Sequence, residues 1–475
     1  MEAGLRIGAS EPAETVWCRA REGGSRARAE AHRSEAKERM VMAKKRPKIA
    51  MIGAGSVVFA QHLLGDIMSW PEFKEPHIAL MDINPDRLAV AERMAGKLAA
   101  ALGANPKITA HKTRKPALEG ADYVINTIQV GGFAATKIDF EVPKRYGLQQ
   151  TIGDTNGIGG IFRALRTMPV MVKIAQEMEE LCPRAIFINY ANPMSMVCWA
   201  VTRATSIQTV GLCHSVQGTA ARLARYMGIP FEELVYQAAG INHMNFYLKL
   251  EHKGKDAYPR LRRAMKDPEI WQQDAVRFEV FNRLGYFVSE SSEHFSEYVP
   301  WFIRRDRPDL IDRYGIPIDE YLKRCVDIDK RWKRIKKEMF SDKAVEAHRS
   351  HEYCGYILHA HETGEPCVIY GNVPNHGIIT NVRQGCSVEV PCLVDSNGIQ
   401  PCHVGELPPQ LAGVIRNTLN VHELTVEGFF TGRKDHIHQA ALLDTHASAE
   451  LSIDEIYAMV DDLFEAHGKM VPRLK

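Results

Sequence analysis

The chain has 475 residues, 45% hydrophobic and 25% charged, with a formal net charge of +2. Its length predicts two domains sharing a core, and the near-balanced charge excludes the concentrated basic face that nucleic acid or a membrane surface needs, leaving small neutral molecules as expected partners. Ten cysteines without a CxxC pair, in a chain too long to need disulfide staples, point to a reducing cytoplasm, and no apolar run is long enough to span a membrane.

Residues 1–46 are rich in Ala, Arg, Glu and Gly without an apolar stripe, and read as a disordered extension or an upstream misreading, with Met40 and Met42 as nearby natural starts. Lys48 to Gly53 then reads as a strand and Val57 to Met68 as a helix, followed by a strand over His77 to Asp82. Asn84 as N-cap and Pro85 in the first turn open a long helix through Leu102. Further strands are expected at Ile108 to His111, Tyr123 to Ile128, Ala185 to Asn189 and Thr209 to Leu212, with a helix from Val170 to Leu181 entered through Pro169. This alternation predicts an α/β fold built on a doubly wound parallel sheet. After Gly240 charged helices are expected, Ile328 to Met339 among them; Val368 to Val394 alternates like antiparallel strands, and helices return from Leu411. The expected division is 47–212 for a nucleotide-binding domain and 213–475 for an α+β catalytic and oligomerisation domain.

The turn Gly53-Ala54-Gly55-Ser56 follows the first strand and opens a helix, where glycines permit a tight turn and close approach of a pyrophosphate to free amides. Val58 stands where the strict fingerprint has a third small residue, so helix and strand pack differently there. Asp82, ending the second strand, compensates: a carboxylate there accepts from an adenosine ribose and repels a 2′-phosphate, which favours NAD over NADP. Asn126, Thr127 and Gln129, after the fourth strand, would lie along that cofactor. The competing reading is a structural strand-to-helix turn.

Cys213 in Gly211-Leu212-Cys213-His214-Ser215 and His243 in Gly240-Ile241-Asn242-His243 place a thiol and an imidazole at the ends of two apolar runs, a donor pair suited to a soft divalent metal. Two protein ligands leave positions open for substrate oxygens. Taken singly, Cys213 reads as a buried small hydrophobe and His243 as a satisfied core histidine.

These motifs belong to an ordered set that also includes Gly153-Asp154-Thr155, Arg163-Ala164-Leu165-Arg166-Thr167, Tyr190-Ala191-Asn192-Pro193-Met194, the run Glu290 to Tyr298, and Ile369-Tyr370-Gly371-Asn372-Val373. From Lys48 onward the chain resembles glycoside hydrolase family 4, and within it the melibiase-type α-galactosidases. The resemblance implies a Rossmann-like, lactate/malate dehydrogenase-like architecture, a dimer or tetramer, NAD as cofactor, and manganese held by Cys213 and His243. It also implies the NAD-dependent exception to two-carboxylate glycosidase chemistry: oxidation at C3 of the sugar, removal of the C2 proton, elimination of the glycosidic oxygen, water addition, and return of hydride.

Within that scheme Asn192 matches the substrate-binding Asn, competing with an Asx turn before Pro193. His214 stands where relatives place the acid that protonates the leaving group. Asp154 is a second candidate, or a helix N-cap near a Gly-rich turn from Asn156 to Gly160, with Arg163 and Arg166 positioning it or capping surface charge and Arg163 also a substrate contact. The C2 base does not carry over, because Ser291 falls in its slot and serine is too weak unaided; Glu290, Glu293, His294 and Tyr286 remain candidates beside the reading of solvated loop charges. The expected substrate is an unphosphorylated α-galactoside, with an α-glucosidase, an α-galacturonidase, a lactate/malate-type dehydrogenase or a silent NAD-binding sensor as alternatives.

Overall fold

The structure, a computed structural model, describes residues 46–475 except 348 and 351, so the expectation for 1–46 falls almost wholly outside the described residues. Pro47 to Lys475 forms one compact unit. Apolar runs produce β1 (Lys48–Ile52), β2 (His77–Met81), β3 (Lys107–His111), β4 (Tyr123–Asn126), β5 (Ile186–Asn189) and β6 (Thr209–Gly211). Side chains on β1, β4 and β5 are almost wholly buried, as strands covered on both faces require. These six pair in parallel in the order β3-β2-β1-β4-β5-β6, so the reversal of winding lies between β1 and β4, where α/β sheets bind ligands. The α/β class expected from the sequence is the one observed.

The sheet does not stop at β6. It continues through β10 (Cys367–Pro374), β11 (Ser387–Asp395), β7 (Leu234–Ile241), β8 (Met244–His252) and β9 (Lys255–Asp256), with β12 (Gly398–Pro401) paired to β11. The antiparallel pair expected around Val368 to Val394 is β10 with β11. The hairpin β7–β8 replaces the helices expected just after Gly240. Its turn is the two residues Asn242 and His243, because Ile241 pairs with Met244. Helices return at Pro409–Thr431.

Two helices begin earlier than expected. The helix expected from Val170 begins at Gly157, and Pro169 lies inside it. Asn156 to Gly160 is therefore not a turn: a Cβ on Gly159 would stand 2.2 Å from Gly153 O and one on Gly160 2.4 Å from Thr155 O, so these glycines admit the preceding loop against the helix. The helix expected over Ile328 to Met339 spans Glu320–Met339.

Candidate active site

A cavity of about 370 Å³ opens where β6 and the β7–β8 hairpin end, lined by Asn192, Cys213, His214, His243, Glu290 and His294 among others. β6 delivers Cys213 two residues beyond its last paired position. The hairpin turn delivers His243, held at φ 66°, a left-handed conformation that costs a non-glycine residue on the order of 1 kcal/mol and is retained mainly where function needs it.

The donor atoms of Cys213, His243 and Glu290 lie within 4.8 Å of one another. His243 Nε2 is 3.1 Å from Glu290 Oε2, and Cys213 Sγ is 4.0 Å from the same oxygen. On its other side His243 Nδ1 meets the Tyr298 hydroxyl at 2.9 Å, the kind of outer contact that fixes the tautomer of a ligating histidine. Burial pushes the Cys213 thiol up, assisted by the Glu290 and Glu389 carboxylates, and burial pushes His243 down despite Glu290. A neutral imidazole beside carboxylate and thiol is the donor set a divalent ion takes up, and the ion would draw off the thiol proton. The residues present thus fit a divalent metal.

Burial alone would raise Glu290, but the imidazoles of His243 and His294 outweigh it and hold its carboxyl down at about 2. Asp154 behaves alike: burial is opposed and outweighed by the Arg163 guanidinium, His294 and His243, so its carboxyl lies below the usual range. Asp154 is not a helix cap, since Asn156 holds that position. Instead it receives Thr155 Oγ1 at 2.7 Å and the Asn192 amide at 3.3 Å, with Arg163 Nη1 at 3.6 Å. Its carboxylate also clusters with His243 and His294. Asn192 therefore lines the cavity with its amide turned to Asp154.

The structure separates the other candidates. Arg163 is buried and reaches Asp154 and the Tyr321 hydroxyl. Arg166 does not position Asp154; it forms a buried pair with Asp139, at 3.0 Å through Nη1, and donates to Val130 O. Glu293 pairs with Arg324, and Tyr286 packs edge-on to Tyr258. Ser291 meets His294 Nδ1 at 2.7 Å and donates its amide to Glu290 Oε1 at 2.9 Å. His214 has a half-exposed side chain stacked on Phe59 at 5.2 Å, and its Nδ1 stands 3.2 Å from Glu352 Oε1.

At the carboxyl end of β1, the same edge of the parallel sheet from which β6 delivers Cys213, Gly53 takes φ 86° and a Cβ there would meet Ile128 N at 2.9 Å. Both Asp82 oxygens hold the turn, one receiving Gly55 N at 2.8 Å and the other Asn84 N at 2.8 Å. A Cβ on Gly55 would stand 2.4 Å from Asp82 Oδ2. Ser56, the N-cap of Val57–Ser69, makes no side-chain cap bond, so the opening amides of that helix remain available to an anion. Thr127 Oγ1 donates to Gly53 O at 2.9 Å. Asn126 is fully buried and donates to Asn189 Oδ1 at 2.8 Å, while its own Oδ1 has no partner; Gln129 is exposed. This strand-turn-helix fits a dinucleotide pyrophosphate.

Sequence reasoning missed Glu297, Tyr298, Glu352 and Glu389. Glu297 accepts Thr151, Ile152 and Gly153 amides at 2.7, 3.2 and 2.8 Å and so shapes the loop that carries Asp154. For Glu389 a signal existed: an acid in the buried interior of the largely apolar strand β11, whose other acid, Asp395, is its last residue.

A nucleotide-type parallel sheet joined to an open cysteine–histidine–carboxylate site defines a two-cofactor kind of enzyme, and the comparisons give its family. The family 4 glycosyl hydrolase model matches residues 48–229, and that for the C-terminal domain of the same family matches 238–447. The chain is 46% identical over 430 residues to an α-galactosidase of Bacillus subtilis (strain 168), covering 90% of this chain and 100% of that protein. It is 34% identical over 440 residues to an α-galactosidase of Rhizobium meliloti (strain 1021), covering 90% and 89%. The 6-phospho-β-glucosidase of Thermotoga maritima, solved with manganese, NAD+ and glucose-6-phosphate, superposes with a TM-score of 0.72 at 20% identity over 90% of this chain and 100% of that one. The chain belongs to family 4 of the glycosyl hydrolases. No helix among the described residues is long and apolar enough to cross a membrane.

Proposed function

We propose that the protein is an α-galactosidase that hydrolyses terminal α-galactosides such as melibiose with NAD and a divalent ion, manganese first among candidates. The observation that carries this is the convergence of Cys213, His243 and Glu290 in the cavity that His214 and Asn192 also line. The likeness to two α-galactosidases supports the sugar. Gly53, Gly55, Ser56, Asp82 and Gln129 would hold NAD, with Asn126 below them, and Cys213, His243 and Glu290 the ion. When bound, NAD supplies a reversible hydride acceptor for C3, and the ion supplies charge stabilisation at the C2 and C3 oxygens.

The chain's own groups then divide the proton chemistry. His294 takes the C2 proton, its ring oriented by the Ser291 hydroxyl at 2.7 Å and Glu290 at 3.5 Å. Glu290, assigned to the ion, is thereby withdrawn from the role of base. His214 delivers a proton to the leaving oxygen from the cavity mouth, steadied by Glu352 at 3.2 Å. Asn192 orients a sugar hydroxyl while Asp154, fixed by Arg163, holds the Asn192 amide. We keep 47–212 as the NAD-binding domain and 213–475 as the catalytic one, and infer a homo-oligomer of two or four copies in a reducing cytoplasm that keeps Cys213 from oxidation.

One observation favours a second substrate. Arg222 lines the cavity, yet its nearest carboxylate, Asp274 at 3.6 Å, already forms a buried pair with Arg277 at 2.6 Å. Two guanidiniums for one carboxylate suit an acidic sugar such as an α-galacturonide.

The test is release of nitrophenol from p-nitrophenyl α-galactoside by reduced protein, with NAD and manganese added or withheld in all four combinations. Activity that requires both and leaves no net NADH is expected. Activity independent of both would defeat the proposal, as would stoichiometric NADH, the signature of a plain dehydrogenase. Preference for an α-galacturonide in the same assay would replace galactoside by the acidic sugar.

A further inference from the structure

Four residues stand in a row across the sheet where its parallel and antiparallel parts meet. Gly211 on β6 pairs with Asn372 on β10, Asn372 pairs with Glu389 on β11, and Glu389 pairs with Gly240 on β7. Gly211 is two residues before Cys213, and Gly240 is three before His243. Glu389 therefore sits in the backbone register that sets how far apart those two donors are.

Its surroundings are unusual for a carboxylate. Glu389 has no exposed surface, and among the described residues it forms no ion pair with a lysine or arginine. Three carboxamides serve instead: Asn372 Nδ2 donates at 3.0 Å and Asn242 Nδ2 at 3.4 Å to Oε1, and Asn245 Nδ2 at 3.0 Å to Oε2. Asn242 and Asn245 flank His243 in the hairpin, and Asn372 also donates to Gly211 O at 3.3 Å. A buried charge held by neutral dipoles alone is costly unless a counter-charge lies close by. Cys213 and His243, whose donors converge with Glu290, both lie within electrostatic reach of Glu389, so a cation held by them would lie within that reach as well.

We propose that Glu389 is a positioning residue whose buried negative charge is the electrostatic partner of the divalent ion, strengthening its binding without touching it. The inference rests on the reading of Cys213, His243 and Glu290 as the metal site.

Shape and charge can be separated because each carboxamide has a spare acceptor. The Oδ1 atoms of Asn242, Asn245 and Asn372 are buried without partners. In Glu389→Gln the new amide N–H groups can be met by turning an asparagine over, so the packing survives while the charge is lost.

The experiment titrates Mn2+ alone into reduced full-length protein, following free Mn2+ by electron paramagnetic resonance, for wild type, Glu389→Gln and Cys213→Ser, with the melting temperature of each metal-free protein. The expected result is wild-type binding, severe loss in Cys213→Ser, and affinity weakened roughly 10- to 100-fold in Glu389→Gln at a near-unchanged melting temperature. Glu389→Gln binding like wild type while Cys213→Ser fails would overturn the counter-charge and leave the metal site standing. Cys213→Ser binding like wild type would instead overturn the metal-site reading. Should Glu389→Gln not fold, Glu389→Asp against Glu389→Asn asks the same question of a pair matched in length, and equal affinities would overturn the proposal.

Discussion

His294 and Glu290 are one helical turn apart in sequence and 3.5 Å apart in space, yet their environments give them different work. Glu290 is shared between His243 and His294 and stays ionised down to about 2, which makes it a steady ligand and a poor proton carrier near neutrality. His294 faces Asp154 and Glu290 from one ring, so the imidazolium formed when it takes a proton has two carboxylates beside it. Replacing it by glutamine is expected to lower turnover roughly 10²- to 10⁴-fold, the usual worth of a positioned base. A substrate deuterated at C2 adds a sharper reading: with its base removed, His294→Gln makes proton abstraction the slow step and shows a larger primary isotope effect on turnover than wild type. An isotope effect no larger than that of wild type, at reduced turnover, would place the base elsewhere.

At the scale of elements, the site depends on how helices are stitched to the sheet. His422, on Pro409–Thr431, lies 2.8 Å through Nε2 from Asn156 Oδ1, at the start of the helix Gly157–Leu181 that carries Arg163. Burial pushes His422 down to about 3, so the folded protein resists protonating it while the unfolded chain takes a proton near 6.5. A lowered folded value means the contribution is fully present above 6.5 and is lost as pH falls from there towards 3. At pH 5 that loss amounts to about 2 kcal/mol relative to pH 7. His422→Gln, which keeps a donor for Asn156, should therefore close about that much of the gap with wild type between pH 7 and pH 5, read as the difference in urea unfolding free energy; a gap constant with pH would show that His422 titrates normally. The same helix shows where sequence falls short. Strands β1 to β6 were legible because apolar runs between turn residues are local signals, and Cys213 and His243 because each ends such a run. The start at Gly157 was not, because Gly159 and Gly160 are set by contact with the loop at Gly153 and Thr155 rather than by a turn. Tyr298, Glu352 and Glu389 escaped for the same reason: their partners His243, His214 and the three asparagines come from distant segments, and no spacing within one segment encodes them.

Over the whole molecule, one sheet runs from β3 to β9, and the second half joins the first in that sheet through one paired position, Gly211 with Asn372. Were these halves independent, a ligand on the Gly53 turn would stabilise only the first. The hydrophobic core argues otherwise, since one cluster takes in Ile49 and Val124 of the parallel strands with Ile241, Val390 and Leu463 far along the chain. Cooperative unfolding follows when no interface is weaker than the cores it joins. NAD at one hundred times its dissociation constant contributes about 2.7 kcal/mol to the folded state, which for a unit of this size is a rise of roughly 3 °C in melting temperature. Scanning calorimetry should show a single transition that moves by that amount, with calorimetric and van't Hoff enthalpies in agreement. Two transitions, of which NAD moves one, would mean that the joint at Gly211 and Asn372 holds two separately folding bodies, and that the distance between Cys213 and His243 is set by docking rather than by a shared core.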